Sequence, residues 1–400
     1  MALSLERAKA APLQVALDIK EDPESFYPLA PYVQNIDTLR VFSSTTIEKL
    51  RQAIPNFPQS TPNLRSISAG LIPDNEVDWD RSVDPLESLT STLTCFELYH
   101  VPLYPSLLRL RSLTELIYWN KEFDLHLDTL LDFLEWNHSL KSVCLGVMFR
   151  EASLRRSQRK AAIENRFRYL KIWYWKVVDI QALISGIPLR KGAQLDISHI
   201  VGDGGLTDIL SGVSTTHLLN LRSPTAMRYG SSGNIQLLGP NGGFSFQGPS
   251  FLGEGIPFAA FPLLPLTHVR EFCLIHRTLE MRQRPVIPLV FDQSFFPALE
   301  MVAVDCDTNV SHLLSALFSN PSSPPLLETI AFMNCDLTQD FVEELTQYAS
   351  KREGTTSTSL HKVVIVNSDV FPSIASIRKL EEHVSVVDVR VGKELPKNLI

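Results

Sequence analysis

The chain has 400 residues, 44% apolar and 20% charged, with 37 basic against 44 acidic side chains and a formal net charge of −7. That apolar fraction excludes a wholly disordered chain, and the acidic balance argues against a protein held to nucleic acid by a broadly basic surface. The length exceeds one compact core, so either two or three globular domains or one elongated repeat array is expected.

The start, Met1-Ala-Leu-Ser-Leu-Glu6, lacks the apolar stretch of a secretion signal. The longest apolar run, Ile256 to Leu266, is 11 residues with three prolines, far short of a membrane-spanning helix, so no membrane partner is expected. The five cysteines (Cys95, Cys144, Cys273, Cys306 and Cys335) are odd in number and form no CxxC pair. Each sits in an apolar, strand-like segment, where cysteine acts as a small core residue. A reduced cytosolic or nuclear setting is the expectation.

One pattern recurs along the chain: an apolar residue, two of any kind, a second apolar residue, one of any kind, and a third apolar residue. It reads Ile36-x2-Leu39-x-Val41, Leu64-x2-Ile67-x-Ala69, Leu93-x2-Phe96-x-Leu98, Leu113-x2-Leu116-x-Tyr118 and Leu140-x2-Val143-x-Leu145. It continues as Phe167-x2-Leu170-x-Ile172, Gly192-x2-Leu195-x-Ile197 and Thr216-x2-Leu219-x-Leu221. After a gap come Val269-x2-Phe272-x-Leu274, Leu299-x2-Val302-x-Val304, Leu327-x2-Ile330-x-Phe332 and Leu360-x2-Val363-x-Ile365. Weak end copies are Pro12-x2-Val15-x-Leu17 and Val384-x2-Val387-x-Val389. From Ile36 to Leu360 the intervals between first positions are 28, 29, 20, 27, 27, 25, 24, 53, 30, 28 and 33. A single match is cheap in so apolar a chain. A dozen near the period of about 20–29 residues of leucine-rich repeats are not.

Such a unit cannot fold alone. Fixing each backbone residue costs roughly 1–2 kcal/mol, and three buried aliphatic side chains return only about 1.5–3 kcal/mol apiece. Stacked as parallel strands about 4.8 Å apart, the units bury their triplets against one another. Helices are expected between strands: Thr46 to Ile54, with Ile47, Leu50 and Ile54 on one face; Leu127 to Trp136, with Leu127, Leu130, Leu131 and Leu134; and Thr338 to Tyr348, opened by a capping threonine. Strand followed by helix gives right-handed crossovers. The expected fold class is therefore α/β, an irregular leucine-rich-repeat solenoid spanning 1–400, with a curved parallel sheet and helices on the convex side.

Residues 222–265 break the period. Within them, 234–247 reads as a hairpin turning at Pro240-Asn-Gly-Gly243. The segment is either a degenerate repeat with a long surface loop or a flap over the concave face. The second reading rests on apolar residues at supposedly exposed strand positions: Ala303, Ala331, Met333, Val364 and Val366.

Motifs for chemistry are sparse. Gly202-Asp-Gly-Gly-Leu-Thr207 has the glycine content of a phosphate loop without its spacing or its Lys-Ser/Thr, and reads as a turn. No HExxH and no Gly-x-Ser-x-Gly elbow occurs. The basic stretch Arg150 to Lys160 reads as a solvated loop or helix in preference to a nucleic-acid or phosphopeptide contact. No catalytic residue, cofactor or metal is expected, and the chain is read as a non-enzyme.

Laying the strands side by side produces a more informative pattern. The residue after the third apolar position faces the concave side and reads Phe42, Gly70, Tyr99, Trp119, Gly146, Trp173, Ser198 and Arg222. One step earlier lie Glu97, Lys171 and Asp196. Aromatics grouped beside charges have the composition of a protein-binding hot spot, although the same rings could simply pack on each other. Tyr99, Trp119, Lys171 and Trp173 are the candidate protein-binding residues.

The repeat spacing, with Leu5-Glu-Arg-Ala-Lys-Ala-Ala-Pro-Leu-Gln-Val15 and Leu266-Thr-His-Val-Arg-Glu-Phe-Cys-Leu274, resembles the fungal F-box/leucine-rich-repeat-like proteins. In that family the F-box docks an adaptor of a cullin-based ubiquitin ligase, and the repeats hold the substrate. No F-box motif lies ahead of Leu5. The resemblance therefore implies the substrate-holding repeats of a ubiquitin-ligase substrate receptor and carries over no adaptor-docking residues. A repeat scaffold unconnected with ubiquitin is the second reading, and a hydrolase or nucleotide-binding enzyme the third.

Overall fold

A computed structural model of the chain describes residues 11–18, 31–43, 62–71, 93–100, 110–120, 127–147, 167–187, 189–201, 204–214, 217–230, 234–248, 261–276, 295–306, 310, 314, 317–320, 324–355, 358–366 and 372–390. The helix expected over 46–54 and the basic stretch 150–160 lie outside them. The fold is α/β, and the chain divides into two compact units: 1–203 with 212–217, and 204–211 with 218–400.

In the first unit the strands are β1 (Leu13–Asp18), β2 (Ile36–Ser43), β3 (Ser66–Leu71), β4 (Cys95–Tyr99), β5 (Glu115–Asn120), β6 (Ser142–Val147), β7 (Tyr169–Trp173) and β8 (Ala193–Ser198). Each pairs with the next in parallel, in chain order. The register aligns the repeat copy for copy: Leu39, Ile67, Phe96, Leu116, Val143, Leu170 and Leu195 are successive partners. All are at most 3% exposed, so the triplet is one continuous core stripe. Ahead of each strand, an N–H reaches the preceding rung's carbonyl: Arg65 to Asp37 at 2.8 Å, Thr94 to Arg65 at 2.8 Å, Lys141 to Thr114 at 2.8 Å, Arg168 to Lys141 at 2.7 Å.

Parallel strands need crossovers. Among the described residues two crossovers are helical: α1 (Leu127–Trp136) between β5 and β6, and α2 (Val177–Gly186) between β7 and β8. The leucines expected to form one face of α1 are all buried, and Leu131 lies against Gly186 of α2, where an added Cβ would meet its Cδ1 at 3.2 Å.

The second unit carries β9 (Ala226–Gly230), β10 (Ile235–Gly239), β11 (Gly242–Gln247), β12 (Glu271–His276), β13 (Met301–Cys306), β14 (Thr329–Met333), β15 (Lys362–Val366) and β16 (Val386–Arg390). From β9 through β12 to β16 the pairing is parallel, with β9 beside β12. β10 and β11 continue beyond β9 as antiparallel strands. This is the hairpin expected over 234–247, and it closes more tightly, with Gly239 opposite Gly242 and Pro240–Asn241 at the tip. Gly239 permits a close approach, since a Cβ there would lie 2.9 Å from the Cα of Pro224. Among the described residues the helices of this unit are α3 (Leu206–Ser211), α4 (Gln339–Thr355) and α5 (Ile374–Glu381). Thr338 caps α4 by accepting the Phe341 N–H at 3.3 Å. The helix runs seven residues past Tyr348, because buried Arg352 donates to the carbonyls of Pro324 at 2.8 Å and Pro325 at 3.1 Å.

Two expectations are corrected. The copy at Thr216-x2-Leu219-x-Leu221 is not a strand; Leu219–Leu221 form a 3-10 turn. The rung is Pro224-x2-Met227-x-Tyr229, with Met227 opposite Phe272 and Tyr229 opposite Leu274, and all three side chains of the new triplet are buried. Pattern matching preferred the leucines because a proline opens the true triplet. Arg222, following the 3-10 turn, is accordingly not on the strand column. In the glycine-rich stretch, residues 202–203 lie outside the description, while the Gly205 N–H is taken by the Asp208 carboxylate at 2.8 Å at the start of α3.

The apolar outward positions of β13–β15 are buried: Ala303, Ala331, Met333, Val364 and Val366 form one cluster, with Cys273 packed against it. Of the candidate flap, 222–265, residues 231–233 and 249–260 lie outside the description, and 226–230, 235–239 and 242–247 form strands β9, β10 and β11 of the sheet. The last part of the segment goes to the other side of the strands, where Phe261 meets Tyr229 and Phe296, and Phe296 meets Phe272.

Asp179 on α2 is 1% exposed, and both its carboxylate oxygens are unpartnered. Burial, opposed by Lys176, pushes its pKa up to about 6. Ionisation is therefore less favourable folded than unfolded. The penalty is absent below about pH 4, grows towards about pH 6 and stays constant above, at about 2–3 kcal/mol. Asp179→Asn is expected to raise Tm at pH 7.5 and to leave it unchanged at pH 4; an equal effect at both pH values in thermal melts refutes this account.

Candidate binding face

Strand residues alternate between two faces. In β4, β5 and β7 the triplet side is buried and the opposite side half-buried, apart from exposed Glu115. On that opposite side the register lines up three rows. The first runs Cys95, Glu115, Ser142, Tyr169, Gln194; the second Glu97, Ile117, Cys144, Lys171, Asp196; the third Tyr99, Trp119, Gly146, Trp173, Ser198. Tyr99, Trp119 and Trp173 thus share one row and Lys171 lies in the next. Gly70 and Phe42 continue the third row in backbone register on β3 and β2, and the Phe42 side chain lies outside the description.

Gly146 decides how this row packs. A Cβ at Gly146 would lie 2.5 Å from Cε3 of Trp119, so the Trp119 ring occupies the space above β6. It meets Trp173 edge-on, with centroids 5.6 Å apart, although the two residues stand two strands apart. Trp119 also meets Tyr174 at 5.2 Å, and Tyr174 stacks on His199 at 5.1 Å. Four rings form one contiguous, half-buried cluster across β5–β8. Edge-to-face pairs of this kind are worth about 0.5–1.5 kcal/mol beyond the area they bury.

Tyr174 and His199 are the residues that the sequence reading missed. Both have left-handed backbones, φ 58° and 54°, as do His100 (55°) and Asn334 (54°), each immediately following a strand. The turn directs the next N–H to the neighbouring rung: His100 to the Trp119 carbonyl at 2.7 Å, Tyr174 to Ser198 at 3.3 Å, Asn334 to Val366 at 2.9 Å. The recurring position, two residues after the third apolar one, was readable; its conformation was not. One residue further, buried Cys335 donates its thiol to the Val304 carbonyl of the neighbouring strand at 3.3 Å.

Lys171 is committed on two sides. Its Nζ lies 4.2 Å from the Trp173 ring centroid and 3.5 Å from Oδ2 of Asp196. With the two side chains 24% and 20% exposed, the pair is better shielded from solvent than a surface ion pair. The Tyr169 hydroxyl donates to the same oxygen at 3.4 Å. Burial, then the Asp196 charge, pushes the Tyr169 pKa up to about 12. Burial raises the Cys144 thiol to about 11 despite Lys171, and Cys95 shifts upward for the same leading reason. At neutral pH these groups are protonated, and neither thiol is poised as a nucleophile. What the face offers is rings, amphipathic edges and carboxylates.

Among the described residues no cluster of three His, Cys, Asp or Glu side chains could hold a metal ion, the five cysteines are not joined in disulfides, and no helix is long and apolar enough to cross a membrane. Compared with protein-family models and with curated proteins, the sequence matches none.

Gly146→Ala is expected to displace the Trp119 ring and break its contact with Trp173, seen as loss of aromatic circular-dichroism intensity, with far-UV strand signal retained. An unchanged near-UV spectrum contradicts this packing.

Proposed function

We propose that the half-buried aromatic face of β4–β8 binds another protein, and that the chain is a non-enzymatic, irregular leucine-rich-repeat module. The observation that carries this reading is the contiguous cluster of Trp119, Trp173, Tyr174 and His199 on a face whose reverse is already filled by the core. A self-packed ring cluster is rigid before any partner arrives. Binding then costs little side-chain entropy, and tryptophan and tyrosine are the residues most enriched in binding hot spots.

The likeness of the repeats to F-box/leucine-rich-repeat-like proteins supports a narrower role as the substrate-holding part of a ubiquitin-ligase receptor. A scaffold without any link to ubiquitin is the alternative. Co-purification of a cullin-ligase adaptor with the chain from its own cells separates the two.

The Trp119→Ala/Trp173→Ala double variant is expected to weaken a partner identified by cross-linking about thirtyfold or more, with circular dichroism and Tm close to wild type. Wild-type affinity in the folded double variant means that the face is not the site.

A further inference from the structure

The two ends of this face differ in charge balance. At the β7–β8 end Lys171, Asp196 and Tyr169 satisfy one another. At the β4–β5 end two carboxylates share the face: Glu97 stands opposite Ile117, and Glu115 opposite Cys95. They are therefore diagonal neighbours on adjacent strands. Among the described residues neither is ion-paired. On the same row, Arg40 lies two strands from Glu97 with Ser68 between them. Tyr99 and Trp119 stand beside the carboxylates in the next row.

A partner that covers the aromatic row also covers these carboxylates. Removing an ionised carboxylate from water without a counter-charge costs several kcal/mol, so such a partner must bring a cation. Resting on the binding reading above, we infer that the β4–β5 end takes an arginine or lysine side chain from an extended segment of the partner protein, with its charge between Glu97 and Glu115 and its stem against Ile117, Tyr99 and Trp119. A guanidinium or ammonium fits such a site twice over: it pairs with carboxylates, and it is attracted to the faces of tyrosine and tryptophan.

The test is selection of random displayed peptides on the full-length protein, with depletion on the Trp119→Ala/Trp173→Ala variant so that only face binders survive. Enriched peptides should carry arginine or lysine. As synthetic peptides they should lose about tenfold or more in affinity for a Glu97→Gln/Glu115→Gln variant, bind more weakly as salt rises, and fail to bind Glu97→Lys/Glu115→Lys. Face-dependent peptides without a cation, or indifferent to the glutamine variant, overturn this inference and leave the binding face standing. If no peptide distinguishes wild type from the tryptophan variant, the binding face itself is refuted, and the cation site with it.

Discussion

Everything on the aromatic face depends on strict parallel register between successive rungs. Because each strand meets its neighbour without slippage from β2 to β8, apart from ordinary pleating, the triplet stacks into one buried stripe on one side. The residues between and after the triplet stack into rows on the other. A slip by one residue in any pair exchanges the faces, placing Leu116 and Tyr118 in solvent and Glu115 and Trp119 in the core. The ladder of N–H groups ahead of the strands and the left-handed turns after them hold that register from both ends.

Register creates the row, and one missing side chain turns it into a cluster. Gly146 removes the Cβ that would separate β5 from β7, and the two tryptophans close over it. Lys171 then packs on the far ring and is neutralised by Asp196, so the aromatic end carries no unsatisfied charge. Among the described residues no cation forms an ion pair with the carboxylates at the other end. The face is thus divided into a rigid apolar part and an acidic part, a division that favours a partner of matching asymmetry.

The two units treat the same outward positions differently. In β4, β5 and β7 these positions are half-buried or exposed and mixed in character. In β13–β15 they are small or aliphatic and fully buried. The triplet is common to both, so the strand-forming code is separate from the code for what each face meets. Deviations from the code are instructive. Pro224 opens a rung that no aliphatic pattern would select, and the hairpin of β10 and β11 adds antiparallel strands that a repeat count cannot foresee. Helix α4 outruns its apolar pattern because Arg352, a charged residue, is buried by hydrogen bonds to the Pro324 and Pro325 carbonyls.

Taken alone, the sequence determined the strands, their order within most of the array, the buried triplet, and the candidates Tyr99, Trp119, Lys171 and Trp173 as neighbours on one face. Those follow from a period-two alternation that is local and therefore visible in the letters. Only the tertiary structure decided that Trp119 reaches Trp173 across Gly146, that Tyr174 and His199 join them, that Asp196 rather than a solvent ion answers Lys171, and that Leu219–Leu221 are not a rung while Pro224 opens one. Each of these is a contact between residues distant in the chain, or a left-handed backbone angle, and no pattern of residue types along one strand fixes the space between strands.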